Sequence, residues 1–157
     1  MRSQASEQGA PSEGESASAY LRAYGGRLVG ALRWGHLDRL WERVLAEPSG
    51  WYVYAVGEPP PDEAASPEHL AEFVGAVDRL LRQEHDEEYC GIVYADDMDA
   101  PSFVKIYDPS NLGAVCGTSG VPTLPGWTLS RARPVDLPSA FPPPGNRRSW
   151  WRRLWGE

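Results

Sequence analysis

The stretch SPEHLAEFVGAVDRLLRQE, residues 66–84, is the strongest structural signal in this chain. It opens with Ser66, Pro67 and Glu68, which suit an N-cap, a first helical position and an acidic first turn. The residues that recur at helical spacing on one side are all large and apolar: Leu70, Phe73, Val74, Val77, Leu80 and Leu81. The pattern predicts a long amphipathic helix packed on a core.

Segments rich in aromatic and β-branched residues lie on both sides of this helix. WYVYAV (51–56) precedes it, and YCGIVYA (89–95) and SFVKIY (102–107) follow it around a polar turn. Each reads as a strand, and GWTLSRAR (126–133) predicts a fourth. Because a strand–helix–strand unit commonly joins parallel strands by a right-handed crossover, we expect the first two strands to run parallel.

The chain before residue 51 is predicted to add one or two helices. Residues 37–45 have the apolar spacing of an amphipathic helix, whereas residues 20–34 fit a helix or a strand, and we favour the helix. The predicted fold class is therefore α+β: a mixed sheet of about four strands with two or three helices packed on one face. The predicted element order is α-(α)-β-α-β-β-β.

A length of 157 residues predicts one core with two unlike ends. Residues 1–19 are rich in Ser, Glu, Gly and Ala and are predicted to form a disordered tail. The single domain is assigned to residues 20–136 and a Pro-rich linker to residues 137–148. Residues 149–157, SWWRRLWGE, form an aromatic and basic C-terminal segment.

The net charge of −7 is unevenly distributed. Residues 58–99 carry thirteen acidic and two basic side chains, whereas residues 137–157 carry four arginines and one glutamate. So acidic a body argues against nucleic acid as a partner. A first segment without a signal-like apolar core and only two cysteines predict a cytoplasmic protein, and fourteen arginines against one lysine suggest a GC-rich bacterial genome.

The connection YDPSNLGAVCGTSGVPTLPGW, residues 107–127, is the first candidate functional segment. Asp108 and Asn111 are turn formers, and glycines such as Gly117 would let backbone amides face a ligand. Cys116 is a candidate reactive thiol and Asp108 a second candidate catalytic residue, although the sequence identifies no partner base for the thiol. The alternative is a structural loop over a sheet end. No spacing of metal ligands occurs, and no cofactor is predicted; Cys90 is interpreted as a core residue.

The C-terminal segment is the second candidate. In a helix Trp151, Leu154 and Trp155 share one side, and Arg152 and Arg153 point elsewhere. With Trp150, these residues form the predicted binding motif. Its occupant could be a partner protein, the chain's own acidic face near residues 84–88, or a membrane surface.

The sequence thus favours a non-catalytic accessory or adaptor protein that binds a partner protein through the Trp/Arg segment. One alternative is a small enzyme or ligand-binding domain that uses residues 108–120, with Cys116 as its thiol. The other is a peripheral membrane protein attached through the tail.

Overall fold

The computed structural model describes residues 13–85, 88, 90–110 and 123–141. In this part of the chain the elements follow one another as α1 (Glu13–Tyr24), β1 (Val29–Gly30), α2 (Trp34–Ala46), β2 (Tyr52–Ala55), α3 (Pro67–Glu84), β3 (Val93–Ala95), β4 (Phe103–Ile106), β5 (Trp127–Ser130) and α4 (Leu137–Ala140).

The strands form one sheet with the order β1-β3-β4-β5-β2, and every neighbouring pair is antiparallel. The α+β class is confirmed, but the prediction of a mixed four-stranded sheet is wrong. Strands β2 and β3, expected to run parallel, run antiparallel and are separated by β4 and β5. The reason is a long-range contact, because β2 pairs along its full length with β5 rather than with the strand that follows α3.

Helices α2 and α3 cover one face of the sheet, where most of the core lies. The core there is built from large apolar side chains of both helices and of alternate strand positions: Leu37, Leu40, Val44, Trp51, Leu70, Val77, Leu81, Val104, Ile106 and Leu129. Ser66 caps α3 as predicted, since its Oγ accepts a hydrogen bond from the His69 backbone amide at 3.1 Å.

The opposite face, which we call the tyrosine face, is covered by α1 and α4. Its fully buried centre consists of Tyr20, Tyr54, Phe103 and Leu137. The Tyr20 hydroxyl lies 2.8 Å from the Thr128 hydroxyl, and the Leu137 amide donates to the Tyr54 hydroxyl at 3.1 Å. The prediction that the helices pack on one face is therefore wrong. Successive strand residues point to opposite faces of the sheet, and both faces carry buried side chains that helices cover.

The ends of the domain also differ from the expected boundaries. Helix α1 begins at Glu13, inside the predicted disordered tail, and Tyr20 anchors it to the sheet. Residues 20–34 do not form one helix, because α1 ends before Gly25 and Gly26 and the chain continues into β1. A Cβ at Gly26 would lie 3.0 Å from the Arg22 carbonyl oxygen. Residues 137–140, assigned to the linker, form α4.

Two arginine side chains join elements of the fold: one joins α3 to α2, and the other joins the end of β5 to the loop after α2. Arg82 donates to Asp38 at 2.6 Å and to Asp78 at 3.0 Å, which ties α3 to α2. Arg131, just after β5, lies 4.2 Å from the centre of the Trp51 ring and donates to the Glu47 carbonyl at 2.8 Å. Arg131 also donates to the Ser49 carbonyl. Its guanidinium therefore satisfies two carbonyl groups that follow the C-terminal end of α2.

Candidate functional site

The structure describes one of the residues predicted to carry function, Asp108. The others lie outside the described residues: Asn111, Cys116, Gly117, Trp150, Trp151, Arg152, Arg153, Leu154 and Trp155. The geometry therefore bears on where the two candidate segments begin, and on the surface around those points.

Asp108 lies directly after β4 and closes a turn. Its Oδ1 accepts hydrogen bonds from the Ser110 amide at 3.0 Å and the Ser110 hydroxyl at 2.8 Å. Gly126, immediately before β5, lies so close that an added Cβ would be 3.1 Å from the Asp108 Cβ. Within the described part of the chain the carboxylate has a turn-forming role, and its hydrogen bonds come from Ser110.

The three histidines lie in or at the ends of helices α2 and α3. His36 is in α2, His69 in the first turn of α3, and His85 at the C-cap of α3. His36 Nδ1 accepts from the Arg33 amide at 3.3 Å, and the His85 ring lies edge-on to Trp34 with centroids 6.2 Å apart. The described geometry therefore gives Asp108 no histidine partner.

The part of the chain that leads to the C-terminal segment starts at the tyrosine face. Leu137 is fully buried. The last described residue, Phe141, is the C-cap of α4, and its ring stacks on Tyr24 with centroids 5.5 Å apart and planes at 28°. Phe141 is 42% exposed. The point from which residues 142–157 continue is thus held beside Tyr24.

Tyr24 also contacts the strand that leads to Asp108. Its ring packs edge-on against Phe103, with centroids 6.2 Å apart, and the Nζ of Lys105 lies 3.8 Å from its ring centre. Lys105 is paired across the sheet with Tyr94 on β3, and Tyr94 packs edge-on against Tyr107 at 5.9 Å. We call Tyr24, Tyr94, Lys105 and Tyr107 the lysine–tyrosine cluster.

The protonation states in this cluster are set mainly by burial. Burial raises the pKa of Tyr24 to about 12, and it also raises the pKa of Tyr107, with the nearby Tyr94 adding to the shift. Burial lowers the pKa of Lys105, because the charged amine loses water. Near neutral pH the hydroxyl groups of Tyr24 and Tyr107 are therefore uncharged and can donate or accept hydrogen bonds.

The sequence did not point to this cluster. A lysine in the run SFVKIY looks like the solvent-facing member of an alternating strand, and the three tyrosines come from three separate segments of the chain. One signal was available, because Lys105 is the only lysine among 157 residues.

The other potentially reactive side chains among the described residues, a cysteine and the aspartates of one turn, have structural roles. Cys90 is fully buried, as predicted for a core residue, and burial raises the pKa of its thiol. In the β3–β4 turn, Asp96 accepts from the Ser102 and Phe103 amides, and backbone hydrogen bonds to Asp97 lower the pKa of that carboxyl. Within the described ranges no three potential metal ligands are grouped to hold an ion.

An exposed apolar strip lies at the edge strand β1. Val29 is 49% and Leu32 61% exposed, and with Met98 they line a groove of about 360 Å³. Arg39 and Asp99, which form an ion pair 2.8 Å apart, also line this groove. This edge of the sheet therefore presents apolar surface to solvent.

Comparisons with family models, with curated proteins and with solved structures found no match to this chain. Among the described helices, none has the length and apolar character that crossing a bilayer requires.

Proposed function

We propose that this protein is a non-catalytic accessory or adaptor protein of the bacterial cytoplasm, which binds a partner protein through residues 149–157. One observation carries the proposal: Trp151, Leu154 and Trp155 would form an apolar side of a helix, next to Arg152 and Arg153, at the end of an otherwise acidic chain. Aromatic and arginine side chains are the types most enriched where proteins bind tightly to one another.

The way in which the tail begins supports a tethered motif. Leu137 and Phe141 fix its starting point on the tyrosine face. The next residues, PPPGNRR (142–148), have a composition that favours an extended spacer of about 3 Å per residue, or roughly 20 Å in all. The motif can therefore reach a partner that does not touch the folded domain.

The charge distribution favours a protein over a membrane as the occupant. A segment of nine residues gives marginal membrane binding by itself. The excess of eleven negative charges between residues 58 and 99 would be repelled by an anionic lipid surface. A protein groove has no such penalty. Its rim can offer carboxylates to the arginines, and its uncharged apolar floor can bind the tryptophans.

The proposal is tested by capture experiments with the full chain and with matched variants. Trp151→Ala together with Trp155→Ala removes the apolar side, whereas Arg147→Gln together with Arg148→Gln changes two residues before the motif. We expect a partner, identified by mass spectrometry and re-made as a pure protein, to bind the full chain and the control but not the tryptophan variant.

Three results would contradict the proposal. Equal binding of the purified partner to a chain ending at residue 148 would remove the motif from the interaction. Flotation of the full chain with anionic vesicles, lost in the tryptophan variant while no partner protein is found, would favour membrane attachment. A lower melting temperature in the chain ending at residue 148, again with no partner, would favour docking on the chain's own acidic face.

A further inference from the structure

The only lysine in the chain lies on a central strand of the tyrosine face. Lys105 is on β4, and its direct cross-strand neighbours are Tyr94 on β3 and Thr128 on β5. The Thr128 hydroxyl is occupied by Tyr20. The ring of Tyr24 covers the amine from the helix side, with Nζ 3.8 Å from the ring centre. The residue is half-buried, so part of it remains exposed to solvent.

The positive charge of Lys105 has no anionic counterpart in the described part of the chain. All four ion pairs there use arginine as the cation, and none brings a carboxylate to Lys105. The face of Tyr24 offsets part of the lost hydration by a cation–π contact, which is a weaker compensation than a carboxylate when the amine is desolvated. A bound anion would supply the missing interaction.

The phenols around the amine strengthen this preference. Because the pKa values of Tyr24 and Tyr107 are raised, both hydroxyl groups keep their protons and can donate to an oxyanion. Tyr94 is the cross-strand neighbour of Lys105, and its ring packs against that of Tyr107. The cluster thus combines one cation with uncharged donors, which is the composition of an anion site.

The use of lysine rather than arginine is consistent with a separate role. The arginines with described ion pairs or carbonyl contacts hold the fold together, as Arg82 and Arg131 do. Lysine presents a compact point charge with three donors, whereas the guanidinium of arginine is a planar fork suited to fixed bidentate pairs.

We propose that Lys105, with Tyr24, Tyr94 and Tyr107, forms a binding site for a small carboxylate or phosphate ligand. This site lies on the folded domain and is independent of the C-terminal motif, so its test leaves the proposed adaptor function untouched.

The test exploits the fact that Lys105 and the α-amino group are the primary amines of the full chain. Pyridoxal 5′-phosphate and pyridoxal both condense with an amine with loss of water, and borohydride then reduces the imine to a stable secondary amine. Peptide mass spectrometry measures the rate at each amine. We expect Lys105 to react about tenfold faster with the phosphate-bearing reagent than with pyridoxal, the effect of one hydrogen bond from a tyrosine hydroxyl to the charged phosphate, because the amine that attacks the aldehyde is itself uncharged. The ratio of the two labelling rates at the α-amino group measures the intrinsic difference in reactivity between the two reagents.

Competition and variants identify the site and its ligand. Inorganic phosphate and acetate, in separate arms at millimolar concentration and constant ionic strength, distinguish a phosphate from a carboxylate ligand; protection of Lys105 by either supports the site. Tyr94→Phe and Tyr107→Phe should each reduce the rate preference, whereas Tyr52→Phe, on the edge strand β2, should not. Circular dichroism confirms that each variant is folded.

The inference is overturned if the reagent preference at Lys105 equals that of the α-amino group, or if neither anion protects it. A Lys105 amine that reacts with neither reagent in the folded protein overturns it equally. So does a preference that survives in both tyrosine variants.

Discussion

The hydrogen bond between Tyr20 and Thr128 gives a sharp test of the tyrosine face, because it joins a helix that the sequence did not predict to the centre of the sheet. Both residues are fully buried, and the two hydroxyls lie 2.8 Å apart. In Tyr20→Phe the Thr128 hydroxyl loses this partner, and in Thr128→Val the Tyr20 hydroxyl does. Each single change should lower the free energy of unfolding by about 1–3 kcal/mol, the cost of a buried polar group left without a hydrogen bond.

The double variant should be less destabilised than the sum of the two single variants, because no unpaired hydroxyl remains. We expect a coupling energy of about 1 kcal/mol, measured by urea unfolding followed by tryptophan fluorescence and far-ultraviolet circular dichroism. Tyr52→Phe, a half-buried tyrosine outside this contact, serves as the control. Additive effects of the two single changes, or effects no larger than that of the control, would show that α1 does not dock on β5 as described.

Three further predictions follow from other contacts. Arg131→Met should lower the free energy of unfolding by about 1 kcal/mol in urea titrations, because the Ser49 carbonyl loses this donor and the Glu47 carbonyl keeps only Trp51 Nε1. Arg133→Met, whose partner Asp62 is 83% exposed, should cost less than about 0.5 kcal/mol; equal losses would contradict the role of Arg131 in satisfying these carbonyls. Stability should fall as pH rises above about 10, because unfolded tyrosines ionise there while the folded protein keeps the protons of Tyr20 and Tyr24, whose pKa values are raised. Urea midpoints between pH 8 and 11.5 measure this, and a midpoint that stays constant in that range would argue against the burial. Cys90 should resist iodoacetamide in the folded protein and react after unfolding, as read by peptide mass spectrometry; rapid labelling of the folded protein would place Cys90 outside the core.

Local signals predicted the local elements well. The Ser66 cap and the apolar spacing after it placed α3 correctly, and the aromatic and β-branched runs placed β2 to β5 within a few residues. These features depend on neighbours in the sequence. The pairing of β2 with β5 does not, since it joins segments more than seventy residues apart, and the sequence rule for a parallel crossover gave the wrong neighbour.

The tyrosine face was missed for a related reason. Tyr54, Phe103 and Lys105 occupy alternate strand positions that a two-layer interpretation assigns to solvent. Residues 13–19 are small or polar and would not form a stable helix alone. The helix is held by tertiary contacts of its second half, chiefly Tyr20 and Tyr24, which no local pattern in residues 1–19 could reveal.

For the candidate site, the sequence identified Asp108 as a turn former, and the structure shows it in that role. The residues that surround the starts of the two candidate segments could not be predicted, because they are brought together by the tertiary fold. Tyr24 links them, because it stacks on Phe141 at the start of the tail and covers Lys105 on the strand that leads to Asp108. Tyr24 therefore lies near the start of both candidate segments.

The most direct test of the central claim is to place a photo-crosslinking amino acid at position 151 of the full chain in its native host. The adaptor account predicts a crosslink to one other polypeptide, which an excess of the unmodified full chain abolishes and an excess of the chain ending at residue 148 leaves intact. Crosslinks that form only within the chain or to lipid, or that both competitors reduce equally, would contradict it.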